Sequence, residues 1–322
     1  MALNIGKKRW IALLGILLFA FILYQFDWRE IARILERANP VLLLLAVAVS
    51  SLTVLGKGSK WVQVLQSNGI NIPITTASKA FSVGFFLGVL TPSRVGDFSR
   101  AWYVRDKMPL GSAISTVLID RLLDVFTLFL MAMFSLSLFS VLFHQTIISI
   151  GWVALLFLAF SAAIVLLLRK RNAERLAKRL FQWVLPESWK GRAKKSFQDF
   201  FESIQKAKQN RKHVLYAFLI GIVNWGLSYA TAFLVASSLS LPLGFFSIVL
   251  AIPIVSLVEL LPVTILGFGT REATLVFLFS FFGLAAAESV AFSIAYVATN
   301  HLVVAAIGLV FFIQHPIHPK LD

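Results

Sequence analysis

The sequence contains no cysteine and few charged residues. None of its 322 residues is a cysteine, which excludes a disulfide framework, a thiolate nucleophile and a cysteine-ligated metal site. Charged residues make up 14% of the chain and hydrophobic residues 58%, a balance that excludes an ordinary soluble domain. Apolar segments long enough to cross a bilayer, about 17 to 25 residues, recur along the chain, as is typical of polytopic helical membrane proteins.

Several signatures of catalysis are also missing. The sequence has no His-Glu-x-x-His pattern, no Gly-x-Ser-x-Gly elbow and no P-loop, so nothing supports a metalloprotease, a serine hydrolase or direct ATP hydrolysis. His315 and His318 lie in a proline-flanked tail without further ligands. His144, His213 and His301 lie near or within apolar runs and are assigned to packing or interface roles. We therefore predict no metal and no cofactor.

The net charge of +15 is concentrated in one segment. Residues 169–212 hold fourteen Lys/Arg and four Asp/Glu, which gives this segment +10. The positive-inside rule predicts that it is a cytoplasmic loop, and attraction to anionic lipid head groups explains its charge without nucleic acid. Within it, residues 171–184 and 193–209 have the pattern of amphipathic helices on the inner leaflet.

Hydropathy and charge together predict about six full spans. Lys7, Lys8 and Arg9 place the N-terminus in the cytoplasm, and residues 27–39 form a short amphipathic helix at the outer interface. Lys57 and Lys60 mark the cytoplasmic end of the second span. The predicted spans cover residues 10–26, 40–55, 114–143, 147–168, 214–238 and 288–312.

Two apolar runs begin and end on one side of the membrane and are predicted to be re-entrant helical hairpins. The first lies near residues 76–108 and turns at Thr91, Pro92 and Ser93; the second lies near residues 245–283 and enters from the other side. This arrangement is typical of an inverted-topology repeat. The predicted organisation is a first transmembrane half (1–168), the basic amphipathic loop (169–212) and a second transmembrane half (213–322). The fold class is an all-α polytopic membrane protein of the cell membrane.

Ionisable residues concentrate at the two hairpins, and ionisable groups at membrane depth usually indicate function. Guanidinium groups stay charged when buried and bind phosphate oxygens with paired donors. The candidate phosphate-binding residues are Arg94, Arg121 and Arg271, with Arg100. The candidate partners of these arginines, or carriers of a coupling proton, are Asp97, Asp120, Asp124, Glu259 and Glu272. The residues that interrupt the helices and let the backbone approach a ligand are Pro92, Gly96, Pro262, Gly267 and Gly269.

A simpler interpretation applies to part of this set. Arg105 and Lys107 also fit a basic loop on the cytoplasmic face. Each carboxylate also fits a purely structural role as the partner of an arginine.

The motifs LTPSRVGDFSR, SAISTVLIDR and LPVTILGFGTREA resemble the membrane region of lysylphosphatidylglycerol synthases, which also occurs as a stand-alone flippase-like family. Pro92, Arg94 and Gly96 fit the Pro-x-Arg-x-Gly-Glu pattern of the family, with Asp97 in place of Glu, and Arg121 fits the arginine of the next span. The later Gly-x-Gly-x-Arg-Glu pattern is met by Gly267, Gly269, Arg271 and Glu272. The resemblance implies translocation of a lipid between leaflets. The synthases carry a soluble aminoacyltransferase domain as well, whereas this chain ends at Asp322, so the resemblance implies translocation without synthesis.

Three functions therefore remain open. The first is a translocase for a phospholipid or a lipid-linked sugar, with an arginine-lined cavity that binds phosphate. The second is a membrane subunit that recruits or regulates a separate lipid-modifying enzyme through the basic loop. The third is an intramembrane enzyme that acts on lipid phosphate with a carboxylate as general base.

Overall fold

The computed structural model describes residues 28–145, 149–167, 187–260 and 269–315. Within these ranges the chain is helical and contains no β-strand, as predicted. The helices are α1 (Trp28–Glu36), α2 (Pro40–Gln66), α3 (Ile74–Leu90), a 3₁₀ helix (Pro92–Val104), α4 (Leu110–Phe143), α5 (Ile150–Leu167), α6 (Glu187–Gln209), α7 (Arg211–Ser238), α8 (Phe245–Glu259), α9 (Thr270–Ser280), α10 (Ala286–Val297), a π turn (Ala298–Leu302) and α11 (Val303–Gln314).

Among the described residues, four helices are long and apolar enough to cross a membrane: α2, α4, α7 and the continuous segment Ala286–Gln314. They contain 27, 34, 28 and 29 residues, so at 1.5 Å per residue each exceeds the ~30 Å hydrocarbon core of a bilayer. The chain is thus a multi-pass membrane protein. The predicted span 10–26 lies outside the described residues, and α5 belongs with the shorter apolar helices. The total of six spans stays a prediction.

The helix that contains the second predicted span continues past residue 55, where that span is predicted to end. Asn39 caps α2 by accepting hydrogen bonds from the N–H groups of Val41 and Leu42 at 2.9 and 3.3 Å, and the helix then continues to Gln66. Its last turns are held by fully buried apolar side chains, among them Trp61 and Leu65. Lys57 and Lys60, which the sequence predicts to mark the cytoplasmic end of the span, therefore lie inside the helix.

The first apolar run turns back on itself where the sequence predicted. α3 ends at Leu90, and Thr91 adopts an extended backbone with φ −116° and ψ 142°. The Thr91 hydroxyl donates to the carbonyl of Leu87 at 2.9 Å and accepts from the N–H of Gly96 at 2.7 Å, which satisfies backbone groups released by the break. The 3₁₀ helix then packs back along α3.

The 3₁₀ helix lies very close to α3, and this close approach depends on Gly96. A Cβ atom at this position would lie 2.6 Å from the backbone nitrogen of Gly88 and closer still to the carbonyl group of Leu87. Backbone atoms cannot move aside as a flexible side chain can, so only glycine fits. Gly88 in turn leaves room for the carboxylate of Asp97.

The second apolar run forms α8 and α9 on either side of residues 261–268. The predicted helix-breaking residues Pro262 and Gly267 fall in that stretch and lie outside the described residues. Gly269, the third of the set, has φ 87° and directly precedes α9. This left-handed backbone favours glycine.

The contacts between helices are reciprocal. α2 packs most extensively on α7, α3 of the first apolar run packs on α11, and α8 of the second run packs on α4. Each run therefore contacts the long helix that follows the other run. This is the pattern expected of two related halves, although the repeat itself stays a prediction.

Two amphipathic helices form, and both bury their apolar faces against protein. Ile31 of α1 is buried against Val290 and Ala291 of α10. The apolar face of α6, which was predicted to lie on the inner leaflet, packs on α4 instead, with Phe201 and Ile204 4% and 2% exposed. Helical periodicity identifies an apolar face but not what covers it. The other predicted helix, residues 171–184, lies outside the described residues.

We predict that Gly96→Ala destabilises the fold by about 1–3 kcal/mol, because the new methyl group overlaps the backbone of α3. The matched control is Gly226→Ala in α7, where an added Cβ meets nothing within 4 Å and alanine is the better helix former. Apparent melting temperatures in detergent would measure both. Equal melting temperatures for the two variants would contradict the close approach of α3 and the 3₁₀ helix.

Candidate functional site

Ionisable side chains from α2, the 3₁₀ helix, α4, α8 and α9 meet inside the protein. Most are buried or half-buried, and they form three separate groups of ion pairs: one around Asp120 and Asp124, one between Arg121 and Asp97, and one between Arg271 and Glu259. We call this set the charge cluster; its cationic members are Lys57, Lys60, Arg94, Arg100, Arg121 and Arg271, and its paired carboxylates are Asp97, Asp120, Asp124 and Glu259.

Asp120 lies at the buried end of the charge cluster. Its Oδ2 accepts from Arg100 Nη2 at 2.6 Å, and its Oδ1 lies 3.1 Å from Lys60 Nζ. All three side chains are at most 2% exposed, and the guanidinium of Arg100 also lies over the ring of Trp61, 5.1 Å from its centroid. Arg100, predicted as a phosphate ligand, is therefore enclosed in a structural ion pair.

Asp124 extends the charge cluster by one helical turn towards an accessible surface. Its Oδ1 lies 2.8 Å from Lys60 Nζ and 2.7 Å from Lys57 Nζ. The side chains of Lys57 and Asp124 are 26% and 25% exposed. Neither lysine is among the site residues that the sequence predicts. The available signal was the apolar sequence that continues after Lys60 to Leu65, which places both lysines within the span.

Arg121 and Asp97 form the ion pair that joins α4 to the 3₁₀ helix. The carboxylate of Asp97 lies against Gly88 and is nearly buried, whereas the side chain of Arg121 is 31% exposed. Asp97 therefore fixes one edge of the guanidinium while the rest of Arg121 stays accessible.

Arg271 and Glu259 form the corresponding ion pair of the second apolar run. It links the first turn of α9 to the last turn of α8, on either side of residues 261–268. The Arg271 side chain is 3% exposed and that of Glu259 is 23% exposed. The predicted role of Glu259 as the partner of an arginine agrees with this geometry.

Arg94 differs from the other arginines in the charge cluster. Its φ of 54° lies in the left-handed region, which is uncommon for residues other than glycine and is often found at functional sites. Its guanidinium lies over the ring of Phe85, 4.9 Å from the centroid, and makes no hydrogen bond or ion pair with any residue in the described ranges. The charges of Glu259, Arg271 and Asp124 act on it, so Arg94 lies where the two halves of the protein meet.

Glu272 has a different role from the one predicted. Its carboxylate accepts from the N–H of Gly269 and from the hydroxyl of Ser293, both at 2.6 Å. Those contacts cap α9 and join it to α10. Glu272 is thus placed as a structural residue and forms no ion pair with an arginine in the part of the chain that the structure describes.

His301 lies beside Arg94 and was not assigned to the site from the sequence. It belongs to the π turn, and its ring lies 6.1 Å from that of Phe85 and 6.2 Å from that of Tyr296. Single π turns occur frequently at functional sites. No sequence signal distinguishes a π turn from an α-helix here. Nowhere in the described ranges do three His, Asp or Glu side chains come together as metal ligands do.

We predict that Asp120→Asn destabilises the protein by about 3–5 kcal/mol, because it leaves the buried charges of Lys60 and Arg100 without their carboxylate. The control is Glu202→Gln, which removes an exposed ion pair with Lys206 of α6 and costs at most about 1 kcal/mol. Thermal unfolding in detergent would measure both. A shift for Asp120→Asn as small as that of the control would contradict a buried structural role.

A second pair of variants tests the role of Glu272. Glu272→Gln keeps an oxygen that accepts from Gly269 and is expected to cost under about 1 kcal/mol. Glu272→Ala leaves two buried donors without an acceptor, at about 1–3 kcal/mol each. Melting temperatures that fall equally in both variants would show that the charge of Glu272, rather than its hydrogen bonds, stabilises the fold.

Comparison with known proteins places this arrangement in a family. A UPF0104 membrane protein of Methanocaldococcus jannaschii is 22% identical over 299 residues, which cover 88% of each chain. A UPF0104 membrane protein of Methanothermobacter thermautotrophicus is 20% identical over 314 residues, 92% of each chain. The sequence pattern of the family described as the lysylphosphatidylglycerol synthase TM region matches residues 10–308. The match covers nearly the whole chain, which therefore belongs to the lysylphosphatidylglycerol synthase TM region family.

Proposed function

We propose that this protein is a lipid translocase that moves a phosphate-bearing lipid between the two leaflets of the cell membrane. The observation that carries the proposal is the position of Arg94. It is a half-buried guanidinium without an ion pair in the described ranges, placed among the charges of Arg271, Glu259 and Asp124. A buried cation without a partner is unfavourable unless an anion binds it.

The neighbouring arginines supply the remaining phosphate donors in this proposal. Asp97 and Glu259 hold Arg121 and Arg271 in fixed orientations, which lowers the entropy lost on binding a ligand. Arginine suits this task because its planar guanidinium offers paired donors to phosphate oxygens and stays charged when desolvated. Arg94, Arg121 and Arg271 belong to three different elements, so a bound phosphate would join the two halves.

Movement between leaflets follows, in this proposal, from two re-entrant hairpins that enter from opposite sides. The reciprocal packing of α3 on α11 and of α8 on α4 supports an inverted repeat. In such repeats the substrate site lies between the halves at breaks in the helices, and rocking of one half against the other exposes it to each side in turn. The breaks at Thr91 and Gly269 flank the arginines.

The basic segment 169–212 has a separate role in the proposal. The exposed face of α6 carries Lys195, Lys206 and Lys208, which suits contact with anionic head groups of the inner leaflet, with the N-terminus on the same cytoplasmic side. The same surface suits a separate lipid-modifying enzyme that delivers the substrate. In this proposal the chain itself transports and catalyses no covalent step.

A leaflet-exchange assay in proteoliposomes tests the proposal. Fluorescent phosphatidylglycerol in the outer leaflet is bleached by dithionite, and exchange is read from loss of the protected fraction. We expect Arg94→Ala to slow exchange at least about tenfold, which corresponds to the loss of ~1.4 kcal/mol of binding, because it removes the guanidinium that receives the phosphate.

The matched control is Lys206→Ala on the exposed face of α6, which removes one positive charge outside the charge cluster. It is expected to exchange lipid at the wild-type rate. If Arg94→Ala kept that rate while a set of α6 lysine variants abolished activity in cells, the protein would be a recruiting subunit and not a translocase.

A further inference from the structure

His301 is a polar residue inside the last membrane span, and it has no role in the function proposed above. Its Nδ1 atom is buried and has no hydrogen-bond partner in the described ranges. A buried polar atom without a partner raises the free energy of the folded protein. Ionisable side chains within membrane spans are rare and are usually functional. Stability therefore does not account for a histidine at this position.

The backbone at His301 is irregular. Residues Ala298–Leu302 form the π turn between α10 and α11, and such turns occur frequently at functional sites. The turn contains neither proline nor glycine, which are common causes of helix irregularity. His301 is its only ionisable residue. The turn is therefore set by what its side chains contact, and His301 is the side chain in it with chemistry to offer.

Aromatic rings and cations surround His301. Its ring lies 6.1 Å from that of Phe85 and 6.2 Å from that of Tyr296. The guanidinium of Arg94 lies over the same Phe85 ring, 4.9 Å from its centroid. The charges that act on His301 are those of Arg271 and Arg94, and both are positive. Two positive charges beside a partly desolvated imidazole favour an anion at this place.

We infer that His301 is a further phosphate-binding residue, which donates a hydrogen bond from Nδ1 to the phosphate of a lipid held by Arg94 and Arg271. The inference rests on the proposed function, because it adds a donor to the same site. A neutral imidazole offers one N–H donor, and a hydrogen bond to an ionised oxygen is about twice as strong as one between neutral groups. The first apolar run, the second apolar run and the last span then each supply one donor.

Replacement by phenylalanine separates binding from folding. His301→Phe keeps a ring beside Phe85 and Tyr296 and removes the unpaired polar atom, so the ligand-free protein is expected to melt at the wild-type temperature or above it. The same variant is expected to bind fluorescent phosphatidylglycerol at least about tenfold more weakly. Both quantities are measured on the full chain in neutral detergent.

Two further variants connect the effect to the Nδ1 donor. In His301→Asn the amide nitrogen is as many bonds from Cβ as Nδ1 is in histidine, so this variant is expected to bind within about threefold of the wild type. The matched control is His213→Phe at the start of α7, where the histidine ring lies 3.0 Å from Gln63 Oε1. His213 is outside the charge cluster, and its replacement is expected to leave lipid binding unchanged.

Two competitors separate a lipid phosphate from its parts. Diacylglycerol has the acyl chains without the phosphate, and glycerol phosphate has the phosphate without the chains. Unlabelled phosphatidylglycerol is expected to displace the fluorescent lipid at least about tenfold more effectively than either. If either competitor displaced it as well as phosphatidylglycerol does, the site would not recognise a lipid phosphate and the inference would be wrong.

The inference is also overturned if His301→Phe binds phosphatidylglycerol as tightly as the wild type, or if His301→Asn binds as weakly as His301→Phe. The leaflet-exchange assay separates this failure from that of the proposed function. Unchanged binding and unchanged exchange in His301→Phe would overturn the inference and keep translocation. Weakened binding in His301→Phe, with no exchange by the wild type, would keep the inference and overturn translocation.

Discussion

The buried ion pairs of Asp120 hold the rest of the site in position. This carboxylate joins α2, through Lys60, to the 3₁₀ helix, through Arg100, and its own helix α4 supplies the third side. Three charged side chains that are at most 2% exposed are stable only while all three are present. The orientation of α2 against the first apolar run is therefore fixed by charge as well as by packing. Because these helices are held in place, Asp124, Arg121 and Arg94 lie at the more accessible end of the charge cluster.

The accessible end of the charge cluster contains the arginine side chains that bind lipid phosphate in the proposed function. Each carboxylate there pairs with at least one cation, whereas the guanidinium of Arg94 pairs with no carboxylate in the described ranges. The aromatic ring of Phe85 supports that guanidinium and also contacts His301 of the π turn. A single side chain of α3 thus connects the first apolar run to the last span at the point where we place the ligand.

Helix positions were more predictable from the sequence than the partners of the helices. Apolar length located α4 and α7 within a few residues, and Pro92 marked the break after α3, because backbone chemistry acts locally. α2 continues beyond the predicted end of its span, because Lys57 and Lys60, which the sequence predicts to mark the membrane boundary, each meet an aspartate sixty or more residues away. The pairs Asp97–Arg121 and Glu259–Arg271 lie among residues singled out in advance. The cap that Glu272 gives to Gly269 is a local pattern, whereas its bond to Ser293 joins residues 21 positions apart and is not visible in any local pattern.

The π turn at Ala298–Leu302 sets the rotational register of everything that follows it. A π turn contains about one residue more than an α turn, so the side chains of α11 are rotated by ~100° from the positions that an unbroken α-helix would give them. In this register Gly308 faces the backbone of Ser82 on α3, at an approach that leaves no room for a Cβ atom. In an uninterrupted α-helix Ile307 would take this place and turn its side chain towards that backbone instead. The last span therefore has two phases, one in which α10 packs on α1 and α9 and one in which α11 fits the first apolar run, and no single helical wheel describes both.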